Sequence, residues 1–163
     1  MLTSFSTPQL LVKLVPDATA INLNDIVKTL TKKVTAHLPQ SWQSITTEGA
    51  AKQWLIERLN EGPVFQITND DDQQLIEFLF LYEIQINDGL EIRLGYLFSE
   101  QHWGKGLASE LIKGLINKCE HKNIYKITGG VTKDNIASAK VLTKNGFVLA
   151  SCEGETEFYE YRF

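Results

Sequence analysis

The pattern of apolar and polar positions divides the chain into a helical first third and a strand-rich remainder. In the first third, apolar residues recur at helical spacing over about Asp25 to Leu38 and again after the hydroxyl cap Thr47. A proline ends the first predicted helix, and the pair Gly62-Pro63 ends the second. A short strand over about Gln9 to Val15 is predicted before both helices.

The central part of the chain reads as three strands joined by tight turns. The apolar runs are Val64 to Thr68, Gln74 to Ile86 and Leu90 to Phe98. The turn signals between them are Asn69 to Asp72 and Asn87-Asp88-Gly89. Short connections between successive strands predict an antiparallel meander.

The last third alternates between helices and strands. The predicted elements are a helix over Gly106 to Cys119, a strand over Ile124 to Val131, a helix over Asn135 to Lys144, and strands over Gly146 to Leu149 and Glu157 to Phe163. A strand, a helix and a strand in succession predict a parallel crossover. The predicted fold class is therefore α+β, a mixed and mainly antiparallel sheet with a central βαβ unit and flanking helices. We expect one domain over residues 1–163, since no linker or repeat interrupts the pattern.

Composition narrows the class of protein without identifying it. The net charge of −4 and a sequence pI near 5.4 give no electrostatic footprint for nucleic acid. No apolar run is long enough to span a membrane, and no signal peptide is evident. Cys119 and Cys152 lie far apart and match no metal spacing, and the three histidines are similarly scattered. We expect a cytoplasmic protein with reduced thiols and no metal.

The stretch from Gln101 to Ala108 is the most specific feature of the chain. Gly104 and Gly106 stand between a predicted strand and a predicted helix, where glycine lets a backbone approach a bulky anion. The helix start that follows offers unpaired N–H groups and a positive dipole end, which suit a pyrophosphate. A plain loop and a dinucleotide-binding fingerprint are the alternatives. The fingerprint is disfavoured because the loop lacks its third glycine and a meander precedes it.

Three further segments accompany this loop. They are Gly95-Tyr96, Asp134-Asn135-Ile136-Ala137-Ser138 and Asn145-Gly146-Phe147. With Gln-x-x-Gly-x-Gly in the loop, their order and spacing resemble the GNAT acyltransferases, and within these the RimJ/RimL-type branch of protein N-terminal acetyltransferases. The stretches His37-Leu38-Pro39 and Thr47-Glu48 are similar to that branch as well, so the resemblance covers nearly the whole chain.

The resemblance implies an acetyl-CoA site between the strand that ends at Phe98 and the strand that begins at Ile124. Leu97 and Phe98 would pair with the pantetheine arm through their backbones, and Asn135 would hydrogen-bond it. A helix N-cap is an alternative role for Asn135 that is compatible with the first. The residues implied to wrap the pyrophosphate are Gln101, Trp103, Gly104, Lys105, Gly106, Leu107, Ala108 and Ser109. Lys105 has the alternative interpretation of a solvated loop charge.

The resemblance also implies how protons move. Many GNAT enzymes protonate the departing thiolate with a tyrosine seven residues after the motif asparagine, but Leu142 stands there in this chain. In the Rim-type branch a serine three residues after that asparagine can serve, which here is Ser138. A small residue that packs the helix is the alternative interpretation of Ser138.

The proton acceptor is less clearly marked. The Rim-type branch often has Glu-Ile-Gly-Tyr where this chain has Arg93-Leu94-Gly95-Tyr96, and arginine cannot act as a base at physiological pH. Glu91 shares a strand face with Arg93 and is the predicted base, acting through water. Glu83 and Glu77 are the alternatives, and each carboxylate has the competing interpretation of a surface ion pair. Arg93 has the alternative of binding a substrate carboxylate.

The predicted function is direct transfer of acetyl from acetyl-CoA to a primary amine, either a protein N-terminus or a small-molecule amine. Cys119 and Cys152 lie outside the motifs, so no acetyl-enzyme is expected. The rival hypothesis is a CoA-binding sensor or interaction module that has lost catalysis. We expect no nucleic-acid or membrane partner, and a monomer or a homodimer.

Overall fold

A computed structural model describes residues 2–69, 75–87 and 89–163. The predicted turn residues Asp70 to Asp72 and Asp88 lie outside the described residues. Within the described residues, the strands are β1 (Phe5–Ser6), β2 (Leu10–Leu14), β3 (Val64–Asn69), β4 (Leu75–Ile86), β5 (Gly89–Phe98), β6 (Ile124–Thr132), β7 (Val148–Glu153) and β8 (Thr156–Arg162). The α-helices are α1 (Leu23–Thr29), α2 (Glu48–Glu61), α3 (Leu107–Cys119) and α4 (Ile136–Lys144). Short 3-10 turns lie at Gln40–Trp42 and Glu100–His102.

The strands form one sheet in the order β1-β2-β3-β4-β5-β6-β8-β7. Neighbouring strands are antiparallel except β5 and β6, which run parallel because α3 connects them across the sheet. The predicted mixed, mainly antiparallel sheet with a central βαβ unit is confirmed.

The two faces of the sheet are covered by different helix pairs. Even-numbered residues of β5, such as Ile92 and Leu94, pack with α3 and α4, whereas Leu97 packs with α1 and α2. Alternation along each strand assigns residues to one face or the other. We call these the α3/α4 face and the α1/α2 face.

The first predicted helix is correct only in its first half. The backbone leaves helical geometry at Leu30 (φ −82°, ψ 55°), so α1 ends there and residues 31–38 form turns. Val34 and Leu38 still pack on the α1/α2 core, which explains why their spacing imitated a helix. The threonine side chains in this stretch bond to nearby backbone groups, as hydroxyls that compete with a helix do.

Other boundaries shift by a few residues. The β7 strand begins at Val148 and runs to Glu153, beyond the predicted Gly146 to Leu149, because it pairs with β8 over its whole length. The two-residue β1 was not predicted. Among the described residues, no helix has both the length and the apolar character needed to cross a bilayer.

Candidate functional site

The parallel strands β5 and β6 separate near the middle of the sheet. Their last paired residues are Leu94 and Gly129, although β5 continues to Phe98 and β6 to Thr132. The edge of β5 that faces β6 beyond Leu94 therefore has no strand partner among the described residues. Strands that part in this way leave a gap with backbone hydrogen-bonding groups along one side.

The glycine loop lies at the same end as this gap. Gly104 (φ +71°) and Gly106 (φ +78°) both adopt the left-handed conformation that favours glycine. A Cβ placed on either one would meet no heavy atom within 4 Å, so this face of the loop is open. The loop therefore has the open space that the predicted approach of a bulky anion requires.

The α3 helix begins directly behind the loop. Gly106 is its N-cap, and no side chain of the described residues caps the helix. Uncapped N–H groups and the helix dipole together make this end attractive to an anion. Ser109 in the first turn accepts a hydrogen bond from Asn145 Nδ2 (2.9 Å), which ties α3 to the end of α4.

Trp103 makes hydrogen bonds within the loop through both its backbone and its side chain. Its backbone N–H donates to Glu100 O (3.1 Å), so this amide is used within the 3-10 turn. Its indole Nε1 donates to Phe98 O (2.9 Å). The ring is half exposed at 50% and lies at the mouth of the gap. The Trp103 amide is thus already used within the 3-10 turn, whereas Gly104 and Gly106 border the open face of the loop.

A cleft of about 680 Å³ continues from the loop along α3. It is lined by Gly106 and Ser109 at one end, and it carries the lysines Lys113, Lys118 and Lys144. Glu110, the one acidic residue among the described residues that line the cleft, accepts hydrogen bonds from the β1–β2 connection, at Thr7 Oγ1 and Gln9 N. The cleft is therefore a basic extension of the glycine loop.

Asn135 and Ser138 lie at the start of α4, across the gap from β5. Asn135 Oδ1 accepts from Ser138 N (3.2 Å), so the N-cap role considered for Asn135 is confirmed. A second role as a ligand of pantetheine stays a prediction. The Ser138 side chain is half-buried and points toward β5, where it lies beside the hydroxyl of Tyr96.

Tyr96 and Glu77 bring two buried polar groups to the same end. The Tyr96 hydroxyl is buried with no hydrogen-bond partner among the described residues, and burial raises its pKa to about 12. Glu77 faces Phe98 across the β4–β5 ladder, and its side chain is fully buried. Neither carboxylate oxygen of Glu77 has a partner among the described residues, and burial raises its pKa well above the usual range.

Sequence reasoning included Glu77 only as an alternative base, and it missed Tyr96 as a chemical group. The available signal for Glu77 was a carboxylate within a largely apolar strand, which also contains Glu83. Tyr96 carried no such signal, because strand tyrosines pack in most sheets.

Glu91 lies away from this cluster. It is on the α1/α2 face, three residues before the last β5–β6 pair, and its side chain is 8% exposed. It makes ion pairs with Arg93 Nε (3.0 Å) and Lys126 Nζ (3.5 Å). Burial by itself would raise the pKa of Glu91, but the Arg93 hydrogen bond and the Lys126 charge outweigh it and lower that pKa. The structure thus does not bring the predicted pair Glu91 and Ser138 together.

The 31–38 segment connects the loops on the two sides of the gap. Thr31 Oγ1 donates to Glu100 Oε1 (2.6 Å), and Lys33 Nζ lies 3.4 Å from Glu100 Oε2, in the connection after β5. His37 Nδ1 lies 3.1 Å from Asp134 Oδ1, in the connection after β6. The segment therefore contacts both edges of the gap.

Known proteins share this architecture. A family profile described as "Acetyltransferase (GNAT) domain" matches residues 13–148. The Probable N-acetyltransferase YjcK of Bacillus subtilis (strain 168) is 32% identical over 85 residues. That alignment covers 51% of this chain and 46% of YjcK, so the chain matches about half the length of this relative.

Many solved structures are similar in fold. A GNAT-family acetyltransferase from Bacillus anthracis has a TM-score of 0.81 at 13% identity, with 98% of each chain covered. RimL, a ribosomal L7/L12 alpha-N-protein acetyltransferase in complex with coenzyme A, has a TM-score of 0.79 at 17% identity, with 96% of this chain and 95% of that chain covered. These likenesses concern the fold, whereas the family profile covers most of the sequence. Because that profile matches residues 13–148, the chain belongs to the acetyltransferase (GNAT) domain family.

Proposed function

We propose that this protein transfers the acetyl group of acetyl-CoA directly to a primary amine. The observation that carries the proposal is the separation of β5 from β6 beside an open glycine loop and an uncapped helix start. A gap between strands accepts an extended amide-containing arm, and the loop accepts the phosphates attached to it. Both features stand at the same end of the sheet.

The parts of acetyl-CoA have matching surroundings. The amides of Gly104 to Ala108 would hold the pyrophosphate, while the side chain of Lys105 and the cleft lysines Lys113 and Lys144 suit the phosphates at the nucleotide end. The backbones of Leu97 and Phe98 would pair with the pantetheine along the unpartnered edge of β5. The Phe98 carbonyl already accepts from Trp103 Nε1, so the pantetheine either shares this acceptor or displaces the indole.

The chemistry requires that an uncharged amine attack the thioester and that the sulfur leave as a stabilised group. Ser138 lies beside the gap and can act on the sulfur. The ion pairs of Glu91 with Arg93 and Lys126 argue against the base role predicted for it, so in our proposal the amine proton leaves to solvent. The backbone N–H groups of β5 beyond Leu94 are the donors available to the developing oxyanion.

We further infer that the chain belongs to the RimJ/RimL-type branch and acts in the cytoplasm. The motif order around the loop supports this branch, and the likeness to RimL is compatible with it. A protein N-terminus is then the first acceptor to test, with polyamines and amino acids as the small-molecule alternatives.

Calorimetric titration with acetyl-CoA tests the proposal, with NAD and ATP as controls. Binding of acetyl-CoA in the micromolar range, with no binding of NAD, is the expected result. A thiol-detection assay for CoA release then screens N-terminal peptides and small amines. Binding without turnover on any amine would favour the catalytically inactive CoA-binding module, and no binding would overturn the assignment of the loop.

A further inference from the structure

We propose that the hydroxyl of Tyr96 donates a hydrogen bond to the departing CoA sulfur and passes it a proton, with Ser138 as its neighbour in a short relay. This inference rests on the proposed function. It assigns a catalytic role to a β5 residue that the sequence motifs mark only as part of Gly95-Tyr96.

The position of Tyr96 follows from the strand register. It lies two residues beyond Leu94, the last β5 residue paired with β6, and therefore borders the gap. Alternation places its side chain on the α3/α4 face, where its ring packs edge-on against Phe98 at 6.2 Å. The side chain reaches toward the first turn of α4, where Ser138 stands beside its hydroxyl.

The hydroxyl is buried, and although Ser138 lies beside it, it makes no hydrogen bond of normal geometry with any described residue. Leaving a buried hydroxyl unsatisfied costs about 1–3 kcal/mol, so a phenylalanine would be more stable at a position that served packing alone. A buried donor at the edge of a ligand gap is explained if the ligand supplies the acceptor. The sulfur of a pantetheine arm that lies along β5 is such an acceptor.

Leu142 stands where the resemblance would place a tyrosine, and it cannot take this role. Its side chain is buried, and its Cδ1 would come within 3.0 Å of a Cβ on Gly129, which places it against β6. Tyr96 brings a phenol to the gap from the opposite side, from β5 instead of α4. The chain thus has a tyrosine hydroxyl at the gap although the helix lacks one.

The proton balance is complete with solvent as the only other participant. The neutral amine forms the C–N bond, and the nitrogen then loses a proton to solvent. The C–S bond breaks with its electron pair on sulfur, which takes the proton of Tyr96 Oη. Tyr96 regains a proton from solvent through the half-buried Ser138 hydroxyl. Burial keeps the phenol protonated, so the donor is present throughout the working pH range.

The test compares the binding of CoA with that of desulfo-CoA, in which hydrogen replaces the thiol. At pH 9.5 a substantial share of the CoA thiol is ionised, because free thiols titrate in the alkaline range. We expect Tyr96→Phe to weaken CoA binding about tenfold, as loss of a hydrogen bond to a charged group does. Binding of desulfo-CoA should change by less than about twofold.

Tyr82→Phe is the matched control. Tyr82 lies on the neighbouring strand and faces α2, where its hydroxyl donates to Glu61 Oε2 (3.1 Å). Tyr82→Phe removes the same hydroxyl oxygen from a residue that does not border the gap. The ratio of CoA to desulfo-CoA affinity in this variant should therefore equal that of the wild type.

The outcomes separate the two proposals. Equal weakening of CoA and desulfo-CoA by Tyr96→Phe would mean that the residue only packs, and it would overturn the inference. An unchanged affinity for both would do the same. If the wild type binds neither compound, the proposed function itself fails.

Once an acceptor amine is found, steady-state kinetics complete the experiment. Tyr96→Phe should lower kcat at least tenfold with little change in the KM for acetyl-CoA, which a packing defect would not produce. The Tyr96→Phe/Ser138→Ala double variant should lose no more than the worse single variant if the two hydroxyls act in series.

Discussion

The buried carboxyl of Glu77 should make the stability of the protein fall as pH rises above the acidic range. Its side chain is fully enclosed and neither oxygen has a partner among the described residues. Burial therefore raises its pKa in the folded state well above 4.5, whereas the unfolded chain exposes the group to water. Glu77→Gln keeps the shape of the side chain and removes the titration.

The direction of this pH effect follows from the numbers of protons that the folded and the unfolded states bind. Between the unfolded and the folded pKa of Glu77, the native state holds a proton that the unfolded state has released. Unfolding then releases a proton, so the free energy of unfolding falls by about 1.4 kcal/mol per pH unit in this window. For a chain of this size that corresponds to about 3–5 °C in Tm per unit. The full contribution is present below pH 4.5 and is lost as pH rises through the folded pKa.

Urea unfolding of the wild type and Glu77→Gln at pH 5, 6 and 7 measures this effect as the difference between the two proteins at each pH. We expect the free energy of unfolding of the wild type to fall steadily relative to that of Glu77→Gln as pH rises. Glu91→Gln is the control, because the pKa of Glu91 is lowered and its contribution is lost only as pH falls below the unfolded value. Its difference from the wild type should be constant over the same range. A constant difference for Glu77→Gln as well would refute the reasoning.

Three further predictions follow from particular contacts. Gly106→Asp should weaken acetyl-CoA binding much more than Gly106→Ala. Both variants share the strain of a positive φ (+78°), but only aspartate adds negative charge at the loop. Calorimetric titration of both variants with acetyl-CoA measures the difference. Arg58→Lys should lower the free energy of unfolding by about 1 kcal/mol in urea melts, since lysine cannot make the two-pronged contact with Glu61. Leu111→Ala should lower it by about 2–5 kcal/mol, because Leu111 is fully buried in the α3 core. Equal losses of acetyl-CoA affinity in Gly106→Asp and Gly106→Ala would mean that backbone strain, not charge, causes them.

Local patterns were sufficient to predict most of the sheet and the glycine loop. The turn at Gly104 and Gly106, the helix behind it and the N-cap at Asn135 all depend on residues close in sequence, so spacing and residue type predict them. The end of α1 at Leu30 is different, because the turns after it are held by contacts with Glu100 and Asp134, far along the chain.

The surroundings of Tyr96, Ser138 and Glu91 could not be predicted in the same way. Tyr96 meets Ser138 only because β5 and β6 part after Leu94, and no local pattern encodes where parallel strands part. Glu91 pairs with Lys126 through the register between these strands, which shifts by a residue at Leu90. Both outcomes belong to tertiary packing, which overrides the preferences of a single strand.

The sheet order also has a consequence for how the chain folds. The β3–β4–β5 meander and the β7–β8 hairpin join strands that are adjacent in sequence, so each can form by closing a short loop. The β5–β6 and β6–β8 pairs instead wait until α3 and α4 have crossed the sheet. The gap between β5 and β6 therefore lies on the seam between two locally formed pieces, and we expect binding competence to be the last property that the folding chain acquires.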